Sequence, residues 1–323
     1  MKKMFMAAGM AAVMTACGTA GQKAATDAGN PFLAEYSTPF GVPPFDLIKV
    51  EHYKEAFLKG MEEQKKEIDA IVNQRSVPDF DNTIAAFDQS GELLNKVSTV
   101  FSGLNSCNTN DEMQAFNKEI TPLLSAHRDD ISLNPALFAR VKEVYERREK
   151  LGLDKEQNKL LEETYKKFVR GGANLDSVDQ AKLRQLNSEI SMLQLTFGQN
   201  LLKETNAFEL VIDKKEDLAG LPESLVASAA EAAKGAGMEE KWLFTLHNPS
   251  VMPFLQYADN RELREKIFKG YINRGNNGNE ADNNEIVKKL VALRLEKAKL
   301  MGYADYASFI LEDRMAKNEE NVY

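Results

Sequence analysis

Apolar residues recur at helical spacing along most of the chain after residue 30. The longest stripe lies between Val178 and Thr205, where apolar positions alternate steps of three and four: Leu183, Leu186, Ile190, Leu193, Phe197 and Leu201. Such a stripe predicts a long helix that packs at a shallow angle against its neighbours. A coiled coil with a partner protein would show the same pattern. We favour burial inside the molecule, because the adjacent helices also need covering.

Shorter stripes of the same spacing predict further helices over 57–72, 137–144, 161–168, 261–271 and 282–301. The pattern changes between residues 207 and 247. There, Phe208 to Ile212 and Trp242 to Leu246 are short runs rich in β-branched and aromatic residues, separated by an Ala-rich segment. The chain is therefore predicted to be mainly α, with a small β element around 207–247.

The first thirty residues differ from the rest. Lys2 and Lys3 precede an uncharged run, Met4 to Ala16, that is too short to span a bilayer as a helix. The run ends at Thr15-Ala16-Cys17-Gly18, which resembles the lipobox of bacterial lipoproteins, although Met14 replaces the usual Leu, Val or Ile. An ordinary signal peptide with an incidental cysteine is the alternative.

We therefore predict a lipoprotein signal peptide at 1–17, lipidation of Cys17 and a polar tether at 18–30. The protein would be exported and anchored by lipid to a membrane, facing the periplasm or the cell surface. Its net charge of −8 gives no electrostatic footprint for nucleic acid. With 43% hydrophobic and 28% charged residues, the chain as a whole has the composition of a globular protein. We expect a monomer.

Few residues are candidates for a catalytic or metal-binding role. If Cys17 is acylated, Cys107 has no disulfide partner, and it is interpreted as a tolerated thiol near a loop rather than a nucleophile. His52 and Glu55 have a spacing that suits metal ligands but also suits an ordinary surface pair. His127 is interpreted as ordering a helix end or loop. The remaining histidine, His247, precedes Asn248-Pro249 and is interpreted as a turn residue.

Several short motifs follow one another in order over nearly all of residues 30–323. They include Pro44-Phe45, Phe80-Asp81-Asn82-Thr83, Phe168-Val169-Arg170-Gly171-Gly172, Arg261-Glu262-Leu263-Arg264-Glu265 and Leu293-Arg294-Leu295-Glu296-Lys297. Each is weak alone, but in this order the chain resembles the peptidyl-dipeptidase and oligopeptidase branch of the thimet-oligopeptidase-like zinc peptidases. The resemblance implies a multi-helix body that forms one lobe of a two-lobed channel peptidase acting on short peptides.

In that family, zinc is held by a His-Glu-x-x-His helix and a downstream glutamate. Two imidazoles one helical turn apart face the same side, and three protein ligands leave a position for water. This sequence has three histidines, and none is followed four residues later by another. We therefore assign no catalytic, cofactor-binding or metal-binding residue to this chain, and expect the zinc site beyond its end. The chain alone is predicted to be inactive.

The resemblance also predicts the domain organisation. Residues 31–250 would form an N-terminal helical domain, and 251–323 the start of a truncated catalytic domain. Asn318 to Tyr323 has the pattern of a helix start, which favours continuation of the natural protein. In the family, the helix carrying Ile286, Leu290, Leu293 and Leu300 packs on catalytic helices, so we expect these residues to lack a covering partner here. The alternative function is a lipid-anchored helical module that binds peptides or serves as a scaffold, without chemistry.

Overall fold

The computed structural model describes residues 29–323, so the proposed signal peptide, Cys17 and most of the tether lie outside the described residues. Helices dominate, as predicted: α1 Val50–Val72, α2 Ala86–Asp88, α3 Glu92–Cys107, α4 Asp111–Ser132, α5 Pro135–Glu146, α6 Lys155–Arg170, α7 Ser177–Ala207, α8 Glu223–Gly235, α9 Asn248–Tyr257, α10 Arg261–Ile272, α11 Asn284–Leu300 and α12 Tyr306–Leu311. A π-helical segment, Phe80–Ala85, leads into α2. Short 3₁₀ turns occur at Pro31–Leu33, Pro39–Gly41, Arg148–Lys150 and Lys215–Leu218.

Many of these helices begin at an Asp or Asn that caps the first turn. The side chains of these residues accept hydrogen bonds from backbone N–H groups that have no partner within the helix. They are Asn110, Asn134, Asp154, Asp176, Asn260 and Asp305. The helix boundaries are thus set largely by local sequence.

The predicted β element is confirmed. Strand β1, Leu210–Ile212, pairs antiparallel with β2, Trp242–Phe244, with Leu210 opposite Phe244. The Ala-rich helix α8 connects the strands and packs on β2. The pair shares a core with α9 and α10 that contains Leu246, Val251, Phe254 and Ile267.

Two further cores hold the first six helices together. One joins α1, α3 and α4 through five aromatic rings: Phe32, Tyr53, Phe57, Phe101 and Phe116. The other joins α1, α5 and α6 through Ile68, Leu137, Val141, Leu161 and Phe168. None of the helices within residues 29–323 combines the length and the apolar character that a membrane span needs.

Helix α7 lies between α4 and α11, so its stripe packs inside the molecule as predicted. Burial is complete only at the N-terminal end of the stripe, where Leu183 and Leu186 are 1% and 4% exposed. The remaining four positions, Ile190, Leu193, Phe197 and Leu201, are only partly buried. The expectation of a buried stripe is therefore fully met at two of the six positions.

The expectation for α11 is wrong in part. Leu290 is 7% exposed, and Ile286, Leu293 and Leu300 are partly buried, because α11 packs on α7 within this chain. A different set of apolar residues faces outward at i, i+4 and i+8: Val287, Val291 and Leu295 are 47%, 62% and 38% exposed. We call these three residues the α11 stripe.

At the other end of the described chain, Asn318 Oδ1 accepts a hydrogen bond from the Asn321 backbone N–H at 3.0 Å, as an N-cap would. Residues 318–323 nevertheless form turns and bends rather than a helical turn. The local capping signal is present, and the helix predicted to follow it is not formed among these residues.

Candidate functional site

Two polar clusters join α7 to the segment that follows α10. The first is centred on Glu204, which is 8% exposed and lies one turn before the end of α7. Its carboxylate accepts hydrogen bonds from the backbone N–H of Gly275, from Asn277 Nδ2 at 2.9 Å and from Asn279 Nδ2 at 2.7 Å. One buried carboxylate therefore holds three points of the loop at 273–283. We call this set the Glu204 cluster.

The charge state of Glu204 follows from these contacts. Burial by itself raises the pKa of a carboxyl group, because it penalises the charged form. The hydrogen bonds from Gly275, Asn277 and Asn279 outweigh that effect and hold the pKa of Glu204 below its usual value. Glu204 is therefore a carboxylate at neutral pH, and its role is that of a fixed acceptor rather than a proton carrier.

The same loop is attached to α7 at neighbouring positions. Arg274 donates to Thr205 Oγ1 at 2.9 Å while its guanidinium lies 3.9 Å from the centre of the Tyr271 ring. The buried Asn283 donates to the carbonyl of Phe197 at 3.1 Å. Gly275 has φ +74°, and a Cβ there would come within 2.8 Å of Asn283 Nδ2, so a side chain at this position would meet both strain and a clash.

The second cluster is a chain of three side chains across α4, α7 and α11. Asn187 Nδ2 donates to Asp129 Oδ1 at 2.8 Å, and Lys297 Nζ donates to Asn187 Oδ1 at 2.6 Å. Burial raises the pKa of Asp129, although the hydrogen bond from Asn187 and nearby cations oppose it. Burial also lowers the pKa of Lys297, with the charge of Asp129 opposing. We call this set the Asp129 chain.

An acid and a base whose pKa values are pushed toward each other are common in functional sites, but also in structural ion networks. Here the bridging amide satisfies both groups, and each member comes from a different helix. The arrangement therefore fixes the relative position of α4, α7 and α11.

The residues singled out from sequence lie elsewhere. Nδ1 of His52 accepts from the Lys49 backbone N–H at 3.1 Å and so caps α1, while Glu55 accepts from Asn30 Nδ2. His247 precedes α9 and contacts Thr245 Oγ1 and Asn206 Oδ1, as expected for a turn residue. Cys107 is exposed and is the last residue of α3.

His127 differs from its interpretation. It lies inside α4 rather than at a helix end or loop, is 5% exposed, and its Nε2 is 2.7 Å from Gln64 Oε1 of α1. In the polar run that follows it, Arg128 and Asp130 are exposed, and the buried Asp129 accepts a hydrogen bond from Asn187 of α7.

Within residues 29–323, no group of three or more His, Cys, Asp or Glu side chains is placed to hold a metal ion. Neither polar cluster has a histidine, and the three histidines occupy separate parts of the fold. The described residues therefore do not fit a catalytic zinc site, which needs three protein ligands around one position.

The two clusters were missed from sequence, yet a signal for them exists. Asn187 and Glu204 fall on the same helical face as the α7 stripe, four residues after Leu183 and three after Leu201. A polar residue within an apolar stripe predicts a buried hydrogen-bonding partner. The sequence does not say where that partner lies, because Glu204 and Gly275 are 71 residues apart along the chain.

Comparison with known proteins gives matches over most of the chain. The profile of Peptidase family M3 matches residues 254–323. Dipeptidyl carboxypeptidase of Escherichia coli (strain K12) is 41% identical over 291 residues, which are 90% of this chain and 43% of that protein. Oligopeptidase A of Haemophilus influenzae is 30% identical over 87% of this chain and 42% of its own length.

A more distant match is saccharolysin of Saccharomyces cerevisiae, 24% identical over 76% of this chain and 34% of the yeast protein. The chain thus spans less than half the length of each of these relatives. Residues 254–323, which the family profile matches, include α10, α11, α12 and the loop bound by Glu204. Both polar clusters therefore connect the earlier helices to this matched segment.

Proposed function

Because this chain belongs to Peptidase family M3, the thimet-oligopeptidase-like peptidases, we propose that it is the N-terminal part of a zinc-dependent peptidyl-dipeptidase-like enzyme. That enzyme would hydrolyse short peptides in a deep channel, with its zinc site outside this chain. The observation that carries the proposal is the 41% identity to a dipeptidyl carboxypeptidase over 90% of the chain but only 43% of that relative. Family M3 peptidases are in general zinc-dependent.

In this proposal the described helices form one wall of the channel and hold the first part of the catalytic domain. The Glu204 cluster and the Asp129 chain would set the position of residues 271–297 on that wall. Hydrogen bonds that involve a buried charged group are stronger and more directional than surface ion pairs. They therefore suit a wall that must hold residues 271–297 in a fixed position. Arg170 of α6 adds a third attachment, donating to the Phe309 carbonyl at 2.6 Å.

The α11 stripe supports the same proposal. Val287, Val291 and Leu295 form an apolar ridge on a helix inside the family-matched segment. We assign as its occupant the zinc-carrying portion of the peptidase, which corresponds to the length of the relatives that this chain does not match. Covering an apolar ridge of this kind is the usual way in which one helical layer binds the next.

We also propose that the protein is exported and anchored to a membrane. The charged start, the uncharged run and Thr15-Ala16-Cys17-Gly18 support export and anchoring through a lipid on Cys17. More than one acyl chain gives stable anchoring, which would keep the peptidase at a membrane surface while its helical body stays in water.

A chimera tests the function. Residues 29–323 would replace the matched 43% of the E. coli dipeptidyl carboxypeptidase. We expect the chimera to bind stoichiometric zinc and to release dipeptides from short peptides in a reaction that a chelator abolishes. Val291→Glu in the chimera should reduce this activity strongly, because it places a charge in the contact that the α11 stripe would form.

The matched control is Val178→Glu, which changes a valine on α7 that is 75% exposed, against 62% for Val291, and that lies away from the α11 stripe. It should leave the chimera active. A folded chimera without zinc or activity would contradict the proposal. If the chain alone then bound short peptides in a one-to-one complex, the non-catalytic binding module would be the better interpretation.

A further inference from the structure

A cavity of about 440 Å³ lies between α1, α2, α3, α4 and α6. Its volume is within the range of small-molecule sites, about 300–1,000 Å³. The walls are mainly apolar, and the side chains that form them are Phe87, Leu94, Leu124, Ile131 and Phe168. Apolar walls of this kind favour binding of the apolar part of a ligand, because its surface is removed from water.

One wall carries a fixed polar pair, His127 and Gln64. Burial lowers the pKa of His127, and the charge of Lys65 adds to this effect. The ring is therefore neutral, and with its proton on Nε2 it donates to Gln64 Oε1 at 2.7 Å. This bond orients the Gln64 amide. Its Nε2 lies 3.4 Å from both the carbonyl and the hydroxyl oxygen of Ser90, a residue that lines an adjoining hollow.

The charged side chains that line the cavity are both cations. Arg128 and Lys167 are exposed at its edge, and neither lies within 4 Å of a carboxylate among residues 29–323. The acids Asp88 and Glu92 line the adjoining hollow, which shares Gln64, Leu94 and Ser98 with this cavity. The two cations favour an anionic group at the end of the cavity formed by Arg128 and Lys167.

We propose that this cavity binds a small organic anion in which a carboxylate is joined to an apolar body. Lys167 and Arg128 would hold the carboxylate. The five apolar side chains would enclose the rest. A fatty acid and the C-terminus of an apolar peptide share this chemistry. The inference does not depend on the proposed peptidase function.

Binding is measured by titration calorimetry on the full chain carrying Cys17→Ser, which removes the proposed lipidation site and the need for detergent. The probes are decanoate, N-acetyl-leucyl-leucine and, as a cation of matched length, decylamine. We expect at least one of the two carboxylates to bind in a one-to-one complex, at least about tenfold more tightly than decylamine. Binding of decanoate would identify the ligand as a fatty acid, and binding of N-acetyl-leucyl-leucine would identify it as a peptide C-terminus. Binding of neither, or equal binding of decylamine, would overturn the proposal.

Two variants locate the site. Lys167→Glu should weaken the carboxylate that binds by about fivefold or more, because it places a negative charge where the carboxylate lies. Lys150→Glu makes the same change at an exposed position outside the cavity and should leave affinity unchanged. Lys167 is exposed, so its variant keeps the fold, which circular dichroism checks. An affinity that Lys167→Glu leaves unchanged would refute the assignment. Leu124→Trp, which fills the cavity, should abolish binding.

Discussion

Lys297 Nζ lies 2.6 Å from Asn187 Oδ1, and this hydrogen bond connects α11, which lies in the segment matched by the family profile, to the long helix α7. The Nδ2 of the same Asn187 amide donates a hydrogen bond to Asp129 of α4. A residue of the family-matched segment is thus bonded, through one neutral side chain, to a carboxylate in the first half of the chain. Because the bridging group is uncharged, it can satisfy a cation on one side and an anion on the other without changing its own state.

Asn187→Leu should destabilise the fold by about 2 kcal/mol or more, because it leaves Asp129 and Lys297 buried without their bridging partner. Urea unfolding of the full chain carrying Cys17→Ser gives the free energy. Gln185→Leu, an exposed amide on the same helix, is the control and should change stability by less than about 0.5 kcal/mol. An equal loss of unfolding free energy in the two variants would show that the bridging hydrogen bonds contribute no more than an exposed amide.

Glu204→Gln should also destabilise, by about 1.5–3 kcal/mol, because it removes the charge that accepts three hydrogen bonds in a buried position. Amide hydrogen exchange should report faster opening of the loop at 273–283. Glu280→Gln provides the comparison, since Glu280 belongs to the same loop but its side chain is 91% exposed and forms an ion pair with the exposed Lys203. Its effect should be close to zero.

The contribution of Glu204 should depend on pH. Its folded-state pKa lies below the value of an unfolded glutamate, about 4.3, so the unfolded chain takes up the proton first as the pH falls. The stability due to Glu204 is therefore present above about pH 4.3 and is lost as the pH falls through the folded pKa. The difference in unfolding free energy between the parent and Glu204→Gln should shrink from pH 6 to pH 4. A difference that grows on acidification would contradict the assigned direction.

Cys17→Ser, expressed in the native host, should move the protein from the membrane fraction to the soluble fraction. The reason is that the proposed anchor is a lipid on this thiol, with no other anchoring feature assigned in the sequence. Cys107→Ser removes the other cysteine and should not change the distribution. Retention of both variants in the membrane fraction would show that the lipobox interpretation is wrong.

The chain by itself should hold no stoichiometric zinc and should not cleave short peptides. The sequence lacks a pair of histidines one helical turn apart, and a catalytic zinc needs three protein ligands. Metal analysis of the purified chain and a fluorogenic peptide assay, each with and without a chelator, measure this. One zinc per chain, or hydrolysis that the chelator stops, would contradict the prediction.

Sequence alone determined the class of fold and the family. The spacing of Leu183, Leu186 and the later stripe residues predicts α7, since periodicity fixes which face of a helix is apolar. The paired strands around Leu210 and Phe244 followed from short β-branched and aromatic runs. The resemblance to thimet-oligopeptidase-like peptidases, which rested on short motifs in order, is confirmed by identity over 90% of the chain.

Only the tertiary structure decided which partners these faces meet. Glu204 and Gly275 are 71 residues apart, and Lys297 and Asn187 are 110 apart, so nothing local to either residue identifies the other. The cavity beside His127 takes its walls from five separate helices. The spacing of apolar residues predicts that a position is buried. Which residue it contacts depends on how whole helices cross. That crossing is set by the shapes and volumes of many side chains together, and so it becomes visible only when the chain is folded.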